Sequence, residues 1–204
     1  MNQELINLID LKGYENVQET VPGDFAKLPP GGYICRVIHS ELTLSKSGKS
    51  MLVLFVDIDV GDFKGFFKNA VARVKSFNSD IKWDNSAIYR QLVFGNDGNV
   101  SRFFKGLLSC FKSSNPDAFT FNPHAFDEKA LRNLIIGFVF AEEEYCKRDG
   151  TIASRVFIKF PKTVEDIRNN NFSVPDVKRI APPVTNDPHD DFSGSPVDTA
   201  DLPF

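Results

Sequence analysis

Apolar and polar positions alternate most regularly over Met51–Val60: Leu52, Leu54, Val56, Ile58 and Val60 fall on one face, and Met51, Val53, Phe55, Asp57 and Asp59 on the other. A period of two marks a half-buried strand, and Gly61-Asp62 closes it. The β-rich run Tyr33–Leu42 predicts a strand before it, with the polar stretch Thr43–Ser50 as the turn between them. A third strand is expected near Ile88–Phe94, ended by Gly95-Asn96-Asp97-Gly98. The period then changes. Val100, Phe103, Phe104, Leu107, Leu108 and Phe111 follow the i, i+3, i+4, i+7, i+8, i+11 spacing of an amphipathic helix. Residues 113–133 read as loop, with one helical turn at Asp127–Leu131. Leu134–Ala141 predicts a buried strand, Asp149-Gly150 a hairpin turn, and Ile152–Phe160 the fifth strand.

Three strands, a helix and two more strands is the order of an OB-fold, whose helix commonly lies between strands 3 and 4. The expected fold class is therefore mainly β: an OB-like five-stranded barrel followed by a disordered acidic tail. Residues 1–31 would supply a short helix over 2–11, carrying Leu5, Ile6, Leu8 and Ile9, and a lead-in loop. Residues 32–172 would form the OB-like domain. Residues 173–204, where Pro175, Pro182, Pro183, Pro188 and Pro196 accompany polar residues, would form the tail.

Composition narrows the class. The 204 residues suit one medium domain with extensions. No apolar run reaches spanning length and the first residues lack a basic leader, so a soluble cytoplasmic protein is expected. Cys35, Cys110 and Cys146 are widely separated, which suggests neither a disulfide framework nor a zinc site. The net charge of -3 hides an asymmetry. Residues 181–204 carry five Asp and no Lys or Arg, whereas Gly32–Lys112 holds 12 basic and 7 acidic residues. A basic body with an acidic tail fits a nucleic-acid binder whose tail serves another partner.

Two segments carry a resemblance. Leu28-Pro29-Pro30-Gly31-Gly32-Tyr33, then Ser45-Lys46-Ser47-Gly48-Lys49, then an aliphatic strand closed by Gly61-Asp62-Phe63-Lys64-Gly65, resembles the phage- and prophage-encoded single-stranded DNA-binding family. The ending Asp201-Leu202-Pro203-Phe204 is similar to the acidic tip of bacterial single-stranded DNA-binding proteins, with Leu202 in place of isoleucine and the acids spread out rather than consecutive. The resemblance implies an OB-like domain acting in phage replication and recombination inside a bacterial host cell. It also implies that Asp201, Leu202, Pro203 and Phe204 dock replication or recombination proteins, the ring filling a pocket and the carboxylate meeting a base.

Single-strand binding needs cations for phosphates and flat rings for unstacked bases. Residues 63–90 interleave the two: Phe63, Phe66, Phe67, Phe77, Trp83 and Tyr89 with Lys64, Lys68, Arg73, Lys75, Lys82 and Arg90. Trp83 is the first choice for a stacking ring, and Phe55 is a further candidate. The loop between strands 1 and 2 supplies Lys46 and Lys49, and the hairpin between strands 4 and 5 supplies Lys147 and Arg148. On the fifth strand Arg155, Phe157 and Lys159 share a face, a ring between two cations. An OB-fold binds oligonucleotides with these same elements.

Catalytic readings are weak. Gly48-Lys49-Ser50 resembles the end of a P-loop, but Thr43 stands where its first glycine belongs and a strand follows where a helix is required. Asp57, Asp59 and Asp62 with Gly61 mimic part of a calcium loop, but Gly61 sits one place early and the first two acids lie in a strand; Glu142–Glu144 fit a solvated hairpin edge better than a metal site, and His39, His124 and His189 are isolated. The expected protein is not an enzyme and needs no cofactor or metal. It binds single-stranded DNA with little sequence preference, protects it and recruits partners, with homo-oligomerisation left open. The alternatives are a strand-annealing or recombination-mediator protein, an OB-like protein-interaction module without DNA binding and, more distantly, a metal-dependent nuclease.

Overall fold

The computed structural model describes residues 15, 27–75 and 80–180. Five strands form one antiparallel sheet: β1 (Gly31–Leu44), β2 (Ser50–Ile58), β3 (Ile88–Leu92), β4 (Ile135–Cys146) and β5 (Ile152–Lys162), in the order β3-β2-β1-β4-β5. Three helices accompany it: α1 (Phe66–Lys75), α2 (Arg102–Ser114) and α3 (Val164–Arg168). The mainly β class and the helix between strands 3 and 4 are as expected. Closure is not. β3 and β5 are both edges, and no ladder joins them. The 3-10 turn Asn85–Ala87 before β3 lies against β5, so the sheet curls toward a barrel. A cleft of about 460 Å³ keeps the seam open, lined by Phe66, Ser86, Ser154 and Val156 among others.

The alternation seen in the sequence assigns the faces. Leu52, Leu54, Val56 and Ile58 of β2 point into the curl, where they meet Cys35 and Val37 of β1, Ile136, Phe138 and Phe140 of β4, and Ile158 of β5. Helix α2 closes this core with Phe104, Leu107, Leu108 and Phe111. Its C-terminus is tied to β4 through Asn115, whose amide accepts from the Ile135 N–H (3.1 Å) and donates to the Ile135 carbonyl (2.7 Å). The loop that follows also feeds the core: Phe119 tilts against Phe111 and Leu131 is fully buried.

Helix α1 was not expected. The interleaved rings and cations resolve, over its length, into a ring pointing in and charges pointing out. Phe67 is buried and stacks on Phe140 at 6.2 Å and 18°, while Lys68, Arg73 and Lys75 are exposed. The helix has no acid in its first turn. Its cap comes from β2 instead: buried Asp57 accepts from the backbone N–H groups of Phe67 (3.0 Å) and Lys68 (3.3 Å), and from that of Ile58 (2.9 Å). A carboxylate at a helix N-terminus satisfies orphan donors and meets the positive end of the dipole.

Helix α3 packs on the opposite, outer face of the sheet. Thr163 and Asp166 form a reciprocal capping box that starts it. Val164 and Ile167 join Ile34 and Val139 in a second, smaller cluster, with Phe160 and Phe172 packed against it. Gly137 makes the approach possible: a Cβ there would lie 2.5 Å from Ile167 Cγ1 and 2.6 Å from the Thr163 carbonyl. Beyond α3 the chain crosses Gly32 with Phe172 and reaches the free side of β4, where Lys178 bridges Glu143.

The Asp57 clasp gives a stability test. Asp57→Ala strands buried donors, and is expected to cost about 2–3 kcal/mol. Urea unfolding should show a lower midpoint with an unchanged slope. An unchanged midpoint would mean that α1 does not depend on this carboxylate.

Candidate nucleic-acid interface

Register separates the candidate rings into those facing the core and those facing out. On β3, Tyr89 pairs with Leu54 and faces inward. It tilts against Phe138, its hydroxyl donates to Gln91 Oε1, and burial pushes its phenol up to about 12. Phe66 and Phe67 likewise pack into the Phe63–Phe66–Phe67–Phe140 series. Trp83 is half-buried against the core, and its indole N–H donates to the Val56 carbonyl of β2 (3.2 Å), one residue beyond the Phe55–Ile88 pair where β3 begins. The rings of Phe67, Tyr89 and Trp83, offered as stacking platforms, are thus engaged in packing because the curled sheet must be filled. Phe77, Asp201, Leu202, Pro203 and Phe204 lie outside the described residues.

The outward set is smaller. On β5, Arg155 pairs with Glu143 and Phe157 with Ala141, so both point away from the core beside Tyr145, the partner of Ala153. Lys159 is the extra residue where the β4–β5 register shifts between Val139 and Phe140. Its ammonium lies 5.4 Å from the Phe157 ring centre, and the Arg155 guanidinium lies 5.8 Å from Phe157 and 5.5 Å from Tyr145. The expected ring between two cations is therefore real, with a second ring beyond the guanidinium. Tyr145 was missed, although counting back from the Asp149-Gly150 turn would have placed it on this face. Glu143 restrains the ladder from the side, 3.9 Å from Arg155. Lys147 and Arg148 are exposed in the turn at the end of the same hairpin.

A second outward group sits on β2 and β3. Phe55 is half-buried, pairs with Ile88, and meets His39 of β1 edge-on at 5.5 Å. Arg90, opposite Val53, is exposed and donates to Asn85 Oδ1 (3.2 Å). Between the two groups the outer face is occupied by α3 and by Arg36, which is bidentate to Asp59 (2.9 and 2.6 Å).

The remaining cations are dispersed. Lys46 is exposed at the β1–β2 turn, while Lys49 reaches across to Asn96. Lys64 sits in the turn before α1, and Lys68, Arg73 and Lys75 are on the exposed surface of that helix. Among the candidate metal acids, Asp57 caps α1, Asp59 holds Arg36, Glu143 faces Arg155, Glu144 accepts from the Ile180 N–H, and Glu142 lines the seam cleft. Among the described residues no cluster of three or more His, Cys, Asp or Glu is placed to hold a metal, and no helix is long and apolar enough to cross a membrane.

Chemically, the β5 ladder offers what an unpaired polynucleotide requires. A base replacing one cation over Phe157 gains a π-face, and the displaced charge stays near the adjoining phosphate. A family model described as "Protein of unknown function (DUF669)" matches residues 14–94, less than half of the chain. That match takes in β1 to β3, hence Phe55 and Arg90, and stops short of the β4–β5 hairpin. Among curated proteins, none matches the chain.

The division of rings into inward and outward sets predicts unequal substitutions. Phe157→Ala should weaken oligothymidine binding about tenfold, one stacking contact of roughly 1–3 kcal/mol. Tyr89→Phe should leave it unchanged. Fluorescence anisotropy on both variants checks the pair, and equal effects would contradict the assignment of faces.

Proposed function

We propose that the protein binds single-stranded DNA with little sequence preference, through the outer surface of an OB-like curled sheet. The observation that carries this reading is the β5 ladder, in which Phe157 stands between Arg155 and Lys159 with Tyr145 alongside. Phe55 and Arg90 extend the surface on β2 and β3, the strands an OB-fold uses for oligonucleotides. Stacking on Phe157 and charge from its two cations tolerate any base, which supports binding with little sequence preference.

The resemblance of residues 28–67 to phage-encoded single-strand binders gives the role: coating exposed strands during phage replication and recombination in the host cytoplasm. Through Asp201–Phe204 the chain would hand bound DNA to replication or recombination enzymes. The reading invokes no cofactor and no catalysis.

Titrating labelled oligothymidine and a duplex of equal length at two salt concentrations tests it. Single strands should bind tighter than duplex. If the five outward cations Arg90, Lys147, Arg148, Arg155 and Lys159 each neutralise a phosphate, the log–log salt slope should be about -3.5. Equal affinity for duplex would replace single-strand binding by general charge attraction. No affinity at low salt would leave the protein-interaction module as the better account.

A further inference from the structure

The β1-facing edge of β4 loses its ladder beyond Phe140, because β1 begins opposite that residue at Gly31. An edge left open there would present unpaired N–H and C=O groups. After α3 the chain returns to cover it. Lys178 forms an isolated parallel bridge with Glu143, the Glu144 N–H donates to the Lys178 carbonyl (3.2 Å), and the Ile180 N–H donates to the Glu144 carboxylate (2.9 Å). Residues expected at the root of the tail are thus strapped to β4.

The bridge fixes a row of charges. Residues paired across neighbouring strands share a face, so Lys178 stands beside Glu143 and Glu143 beside Arg155, all on the outer side. The Arg155 guanidinium lies 3.9 Å from Glu143, and its side chain is 52% exposed. Lys178 is exposed and has no ion pair among the described residues. Strands are spaced about 4.8 Å apart, which leaves the Glu143 carboxylate within reach of both cations. Its charge is badly placed for DNA. A phosphate drawn to Arg155 comes inside the roughly 8 Å over which the acid is unscreened.

We propose that Lys178 is a positioning residue of the DNA surface, taking Glu143 when a phosphate takes Arg155. Without Lys178 the freed carboxylate stands unpaired beside the incoming phosphate and repels it. With Lys178 the acid keeps a partner, and the guanidinium leaves it at little cost while staying beside the Phe157 ring. Arg179 is the next residue along the strap, has the opposite parity and takes no part. Because the strap holds Lys178 in this row, a partner that drew residues 178–180 off β4 would loosen the DNA as well. The inference rests on the proposed binding of DNA at the β5 ladder, and it brings into that site a residue the sequence places in the tail.

The test titrates the full chain with labelled oligothymidine, read by fluorescence anisotropy. Lys178→Ala should weaken binding about threefold, the size of an exposed ion pair. Glu143→Gln should tighten it, and Lys178→Ala on that background should have no further effect. Ile180→Pro lacks the N–H that Glu144 holds, and should reproduce the Lys178→Ala loss with every charge in place. Arg179→Ala should leave the affinity unchanged. Equal losses from Lys178→Ala with and without Glu143 would overturn the hand-over and leave a plain phosphate contact. An equal loss from Arg179→Ala would reduce the effect to bulk charge, and no loss from Lys178→Ala would dismiss it. In each of these cases the DNA reading stands, provided that binding by the wild type falls with Phe157→Ala. No binding by the wild type removes both.

Discussion

The stacking of Phe67 on Phe140 inside the curl is the contact on which the rest of the molecule depends. It fastens α1 to β4 across the core, with Tyr33 closing edge-on against Phe140 at 5.4 Å. Once Phe138 and Phe140 are committed inward, the pleat fixes which residues of β4 and β5 point out. Glu143, Tyr145, Arg155 and Phe157 then have nowhere to go but the surface. An aromatic core thus produces the aromatic exterior. A one-residue slip of the β4–β5 register would bury Arg155 and expose Val156.

Where side-chain periodicity was strong, the fold could be read in advance. The strict alternation over 51–60 became β2, and the helical stripe became α2, although Phe103 within it is 75% exposed. The Asp149-Gly150 turn set the hairpin register and with it the face shared by Arg155 and Phe157. What escaped notice depended on distant partners. Helix α1 has no local start signal because its cap, Asp57, lies ten residues upstream on another element. Strand β4 runs on through Glu142–Glu144 because Arg155, the backbone of Ile180 and the open seam receive those acids. Helix α3 spans only five residues, and its capping box was the one legible sign.

The site was legible in part for the same reason. Composition records that rings and cations are mixed between 63 and 90; it does not say which way each ring turns. The curled sheet needs most of those rings for filling, so Phe67, Tyr89 and Trp83 went inside and their neighbouring cations stayed out. On β5, strand parity decides the shared face of Arg155 and Phe157, and the bulge at Lys159 keeps its ammonium beside the ring. The outer surface that results is discontinuous: α3, Phe172 and the Arg36–Asp59 pair occupy its middle. A polynucleotide would therefore meet two aromatic stations, the β4–β5 hairpin and the β2–β3 face, with a covered stretch between them.

The central claim is that unpaired DNA lies on the outward rings and not at the seam or the inward aromatics. Ultraviolet crosslinking of the full chain to oligothymidine, followed by identification of the crosslinked residues, tests it most directly. Crosslinks at Tyr145, Phe157 and Phe55 are predicted, and they should fade together as salt is raised. Crosslinks confined to half-buried Trp83 or to Phe66 at the seam, or none at low salt, would contradict the account.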